Sequence, residues 1–126
     1  MGGIILGSTV NGKLSLKKNS SNVVSNAQIT SLQVVNTNAF QFRVITTGPI
    51  RVYWGDNTYT DISTQSNLYT IDKTYSTTGT YDIIITNQEK VISLWFDNIT
   101  YASKINTNVL WFSQFYNLKA LHLTNA

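Results

Sequence analysis

The stretch between Gln28 and Thr86 is written largely in period two. Phe40, Phe42 and Val44 alternate with Gln41, Arg43 and Ile45, and Ile50, Val52 and Trp54 resume the pattern after Gly48-Pro49. Successive side chains on a strand point to opposite faces, so this pattern reads as half-buried β-strand. Residues 29–35 are β-branched and also read as strand. Gly55-Asp56-Asn57 marks a turn, Tyr69, Ile71 and Tyr75 form another run, and Tyr81, Ile83 and Ile85 share a face after Gly79. Short strands at this spacing, with turn residues between them, argue for a mainly β chain built on a sandwich. Composition narrows the field further. Cysteine is absent, which removes disulfide scaffolds and zinc–thiolate sites. With 42% hydrophobic and 12% aromatic residues the chain has what it needs for a core, and 126 residues are enough to close one.

Charge is scarce. Nine basic residues against six acidic give +3 and a pI near 9.2, but only 12% of residues are charged, where about 25% is usual. Lys17 and Lys18 are the only adjacent cations, so the basic clustering that nucleic acid demands is missing. No apolar run reaches the length of a membrane span, and residues 1–10 lack the basic start of an export signal. Neither nucleic acid nor membrane insertion is expected. Asn, Thr and Ser together supply 43 residues, about a third of the chain. Such a composition suits an adhesive β-protein.

Residues 1–18 read as a hairpin about Asn11-Gly12, the dipeptide best suited to the positive φ angles of a tight two-residue turn. Ile4, Leu6 and Val10 share one of its faces, and a lone two-stranded ribbon is marginal, so it is expected to dock, either on its own domain or on a partner protein. The polar run 19–27 is a linker. Residues 28–88 then contain Trp54-Gly55-Asp56-Asn57, Thr74-Tyr75 and Gly79-Thr80-Tyr81 in that order. This arrangement resembles the polycystic-kidney-disease (PKD) type of immunoglobulin-like domain, whose motifs are a W-G-D-G turn, a tyrosine before a small-residue turn, and a G-T-Y strand opening. Asn57 stands where glycine is usual. The resemblance implies a β-sandwich in which Trp54, Asp56, Asn57, Tyr75, Gly79 and Tyr81 are structural. Trp54 fills the core, Asp56 caps its turn, and Tyr75 buries its ring with its hydroxyl on a carbonyl.

Residues 89–126 change pattern. Leu94-Trp95-Phe96-Asp97-Asn98 and Leu121-His122-Leu123-Thr124-Asn125 share one form 27 residues apart, within the period of leucine-rich repeats, which the segment resembles. Ile99 and Ala126 depart from it. A short helix within 109–116 is expected to turn Leu110, Phe112 and Phe115 inward. Two repeats are fewer than a solenoid needs, so the segment is expected to be part of a longer protein or to be covered by a neighbouring subunit. On its strand Trp95 faces away from Leu94 and Phe96, as an anchor for a protein or sugar partner or as packing between domains.

No catalytic constellation emerges. The single histidine, His122, lies mid-strand, no two of the six acids are singled out, and phosphate-binding glycine motifs are absent. Asp56, Asn57 and Asp61 carry oxygen ligands that suit calcium or, equally, turn capping. The expectation is a protein without cofactor, metal or enzymatic activity. PKD-like domains followed by such repeats, and the opening Ile4-Ile5-Leu6-Gly7-Ser8-Thr9-Val10, resemble surface and virion proteins of Bacteroidetes and their phages. That implies a bacteriophage structural protein: a capsid-attached head fibre, a decoration protein or a tail-fibre anchor. It would be a homo-oligomer held to other virion proteins by the hairpin, facing a host surface protein or polysaccharide. The alternatives are a fragment of a bacterial cell-surface adhesin and a carbohydrate-binding accessory module.

Overall fold

The computed structural model describes residues 31–107 and 109–124. The hairpin, the linker and with them Ile4, Leu6 and Val10 lie outside the described residues. Among the described residues there are six strands: β1 (Leu32–Thr46), β2 (Ile50–Tyr53), β3 (Tyr59–Ile62), β4 (Tyr69–Ile85), β5 (Val91–Phe96) and β6 (Ala120–Leu123). They form one mixed sheet in the order β3-β2-β4-β1-β5-β6. All pairings are antiparallel except that of β5 with β6. The alternation read from the sequence sets the faces. Phe40, Phe42 and Val44 on β1, Ile50 and Val52 on β2, and Ile83 and Ile85 on β4 are all buried, while their neighbours face outward.

Two expected interruptions are absent. Residues 29–35 and the run holding Phe40 read as separate strands, and a turn is expected before Gly79. Instead β1 continues for 15 residues and β4 for 17. The surplus residues leave the ladder as bulges. Thr37 pairs with Gly79 and Ala39 with Thr74, so residues 75–78 stand opposite the single residue Asn38. Asn36 takes a φ of 51°, a left-handed conformation that asparagine tolerates better than most residues. A bulge bends a strand without ending it, and local turn chemistry alone does not distinguish the two. Tyr69 also departs from the expected buried run and is 41% exposed, whereas Ile71 and Tyr75 are buried.

The inward faces share one core. Phe42 lies edge-on to Trp54 at 6.2 Å and stacks on Phe96 at 5.5 Å, joining β1, the turn after β2 and β5. Beyond β5, Asn98 caps the single turn α1 (Ile99–Ala102) by accepting the Thr100 N–H at 3.1 Å. The chain then returns to the start of β1, where the Val35 N–H donates to the Lys104 carbonyl and the Asn106 N–H to that of Gln33. A 3-10 helix follows at Val109–Gln114. Here the inward set differs from expectation. Trp111 and Phe115 are buried and Phe112 half-buried, but Leu110 is 57% exposed. Trp111 and Phe115 pack together on the core side, their ring centroids 4.7 Å apart, while Leu110 turns out.

Strand β6 then lies parallel to β5 with Leu94 opposite Leu121, Trp95 opposite His122 and Phe96 opposite Leu123. The 27-residue repeat is therefore paired in register. Leu94 and Phe96 are sealed, at 0% and 1% exposure, whereas Leu121 and Leu123, one strand further out, stand at 42% and 46%.

Candidate functional site

The outward face around Trp95 gathers the most varied side chains. Strand register sets Thr70, Arg43, Trp95 and His122 side by side across β4, β1, β5 and β6. His122 stacks on Trp95 at 4.7 Å with the rings nearly parallel, and the Arg43 guanidinium lies 5.3 Å from the indole centroid. Since their strands flank β5, Arg43 and His122 approach the indole from opposite sides. Trp95 is half-buried, and its Nε1–H donates to the Ser93 hydroxyl at 2.8 Å. Its place outside the core agrees with the strand parity, but neighbours in its own sheet cover its ring.

Arg43 in turn pairs with Asp97 through both Nε and Nη2. Hydrogen bonding from Arg43 holds the Asp97 carboxyl below the usual carboxylate range, against the opposing effect of burial. One rung along the strands, the Gln41 side-chain amide donates to Asp72 at 2.7 Å. A shallow depression of about 510 Å³ runs between Gln41, Arg43, Thr70, Asp97, Asn98 and Ile99. Chemically this face offers hydrogen bonds, a paired charge and a stacked indole, which suits recognition. Among the described residues no group of three or more His, Asp or Glu gathers at a spacing for metal.

The other residues singled out from the sequence meet around Trp54. Tyr75 is buried and its hydroxyl donates to the Trp54 carbonyl at 2.7 Å, while the Trp54 Nε1–H donates to the Thr60 hydroxyl at 2.8 Å. Tyr81 stacks on Tyr75 at 3.6 Å and donates its own hydroxyl to the Thr77 carbonyl across the bulge beside Gly79. Burial, with the nearby Asp56 charge, pushes the Tyr75 phenol up. In the turn, Gly55 has a φ of 86° and a Cβ there would stand 2.7 Å from the Asp82 carbonyl oxygen, so only glycine fits. Asn57 follows at φ 70°, and Asp56 accepts the Thr58 N–H at 3.1 Å.

Asp56 also pairs with Lys73 at 2.7 Å. Burial acts to raise its pKa, but Lys73 and Thr58 together hold it below the ordinary value. Asp61 is likewise held down by Arg51. Each carboxylate weighed as a calcium ligand thus faces a cation.

A further cluster escaped the sequence reading: Arg51, Tyr53, Tyr59 and Asp61 on the β2–β3 hairpin. Arg51 pairs across the strands with Asp61, and Tyr53 with Tyr59. The signal was present as the mirrored order R-x-Y…Y-x-D about Asp56, which is legible only once the turn is taken as the centre of a hairpin. Compared with protein-family models, with curated proteins and with solved structures, the chain matches none.

Proposed function

We propose that this chain is a non-enzymatic structural and adhesive protein of a bacteriophage particle: a head fibre, a decoration protein or a tail-fibre anchor. In this reading residues 28–88 are a PKD-like sandwich acting as a rigid spacer. Residues 89–126 begin a leucine-rich-repeat-like solenoid, and the N-terminal hairpin fixes the protein to other virion proteins through Ile4, Leu6 and Val10. The observation that carries the reading is the parallel, in-register pairing of Leu94-Trp95-Phe96 with Leu121-His122-Leu123. A coil that lays each repeat on its predecessor is how solenoids grow, and the exposed Leu121 and Leu123 are what a further coil or a neighbouring subunit covers. The meeting of Trp54, Tyr75 and Tyr81 around the Gly55 turn supports the PKD-like half. The face around Trp95 is then the surface offered to a host protein or polysaccharide, with Arg43, Asp97 and His122 as its polar groups.

Removal of residues 1–18 tests the anchoring. Particles assembled with the shortened chain should lack it, while the purified shortened protein keeps its β circular-dichroism spectrum and cooperative melt. Particles that still carry it would refute the hairpin as anchor. A cell-surface adhesin built from the same modules is the competing assignment, and the two differ in where the protein is found.

A further inference from the structure

We infer that the outer face of the β2–β3 hairpin is a second recognition site, for a neutral hexopyranose unit of a glycan chain. Two adjacent rungs build it. On the first, Tyr59, Tyr53 and Ile84 lie side by side across β3, β2 and β4, exposed at 52%, 39% and 39%. On the second, Asp61 and Arg51 are joined to Thr86, whose N–H donates to the Arg51 carbonyl at 2.9 Å. A cleft of about 300 Å³ lies along the second rung, lined by Pro49, Arg51, Tyr53, Asp61, Thr86 and Asn87.

The polar groups are fixed before any ligand arrives. Arg51 donates Nε and Nη2 to the two Asp61 oxygens at 2.6 and 3.1 Å, and its Nη1 reaches the Tyr53 hydroxyl at 3.4 Å. Its guanidinium also lies 3.9 Å from the Tyr59 ring centroid, and the two tyrosine rings stand 5.8 Å apart at 58°. A planar fork locked in this way loses little freedom on binding. The chemistry then selects the ligand. Tyrosine faces are electron-rich and attract the slightly positive C–H bonds that line one side of a pyranose. The carboxylate keeps lone pairs beyond the two used by Arg51, so it accepts from sugar hydroxyls. Asp61 neutralises Arg51 and its own side chain is 60% exposed, so the site has no surplus positive charge for a phosphate, a sulfate or a nucleic acid. Trp95 lacks the same opening, since Arg43 and His122 approach its ring from opposite sides, whereas Arg51 lies over one face of Tyr59 and that residue stays 52% exposed.

The site shares no residue with the Trp95 face and does not depend on the protein belonging to a particle. The test is titration of the full chain with cellohexaose, laminarihexaose and mannohexaose, with a heparin hexasaccharide and oligo-dT as anionic comparisons, followed by calorimetry and by the aromatic NMR signals. At least one neutral hexasaccharide should bind and shift the Tyr53 and Tyr59 rings. Tyr59→Ala and Asp61→Ala should each weaken it by about tenfold, the loss of one stacking or hydrogen-bonding contact. The thermal melt of each variant against the parent is the folding control, and Tyr59→Phe, which keeps the ring, should bind more tightly than Tyr59→Ala. Trp95→Ala shows which of the two faces holds the sugar, and Thr78→Ala, at an exposed position outside both, should bind like the parent. The inference is overturned if no neutral oligosaccharide binds, if Tyr59→Ala binds as well as the parent, if the anionic probes bind more tightly, or if binding follows Trp95 instead.

Discussion

Tyr75 ties β4 to the turn after β2, 21 residues earlier in the chain. Its ring stacks on Tyr81 beyond the bulge, its hydroxyl holds the Trp54 carbonyl, and its edge of the core adjoins the Asp56 turn. Tyr75→Phe keeps the ring but orphans a buried carbonyl, so unfolding in urea should show a loss of about 1–2 kcal/mol. Truncating Trp54 to alanine opens a cavity instead and should cost about 3–5 kcal/mol. The Arg43–Asp97 pair makes a different, pH-dependent contribution. Arg43 depresses the native Asp97 carboxyl below the ordinary carboxylate value. Its stabilisation is therefore complete above that value and is lost as pH falls through the lower native one. Melting from pH 7 down to 2 should show an acid limb, and Asp97→Asn should lower the neutral-pH stability while making that limb shallower. An unchanged limb in the variant would mean that other carboxylates set it. Trp95 was legible at this scale from strand parity alone. Its flanking by Arg43 and His122 was not, because it depends on the register of three strands whose residues lie 52 and 27 positions away.

At the scale of elements, period two predicted which faces of β1, β2 and β4 are buried, because burial on one side of a sheet imposes alternation directly on the sequence. Continuity was harder to read. Gly79 looks like a turn residue, yet it lies inside β4 because residues 75–78 bulge against a partner that supplies one residue. A bulge is a property of two strands, and either sequence alone carries only half of it. Leu110 was misplaced because Trp111 and Phe115 pack against the core in its stead, and apolar character alone does not say which of several neighbouring large residues turns inward. The repeat, by contrast, was legible, and it yields a comparison within one protein. Leu94 and Leu121 occupy the same repeat position, one sealed and one 42% exposed. Leu94→Ala should cost about 2–5 kcal/mol, as for other core leucines, and Leu121→Ala under about 1 kcal/mol. Equal losses in thermal denaturation would show that β6 is covered in solution.

For the whole molecule, charge and apolar surface are distributed as an assembling protein needs. Asp56, Asp61 and Asp97, half of the acidic residues, are tied to Lys73, Arg51 and Arg43. Charge is scarce at 12% of residues, while Leu121 and Leu123 remain exposed on β6, the last strand of the sheet among the described residues. Edge strands that stay monomeric usually carry charge, proline or a bulge, and Ala-Leu-His-Leu carries none of these. The proposed role in a phage particle accounts for that combination, and location tests it most directly. Particles and cell envelopes from the culture that makes this protein can be separated on a density gradient and analysed by mass spectrometry. The account predicts peptides of this chain in the particle band, at a fixed ratio to the major capsid protein across the band. Recovery in the envelope fraction with none in the particles would contradict it and assign the same modules to a cell-surface adhesin.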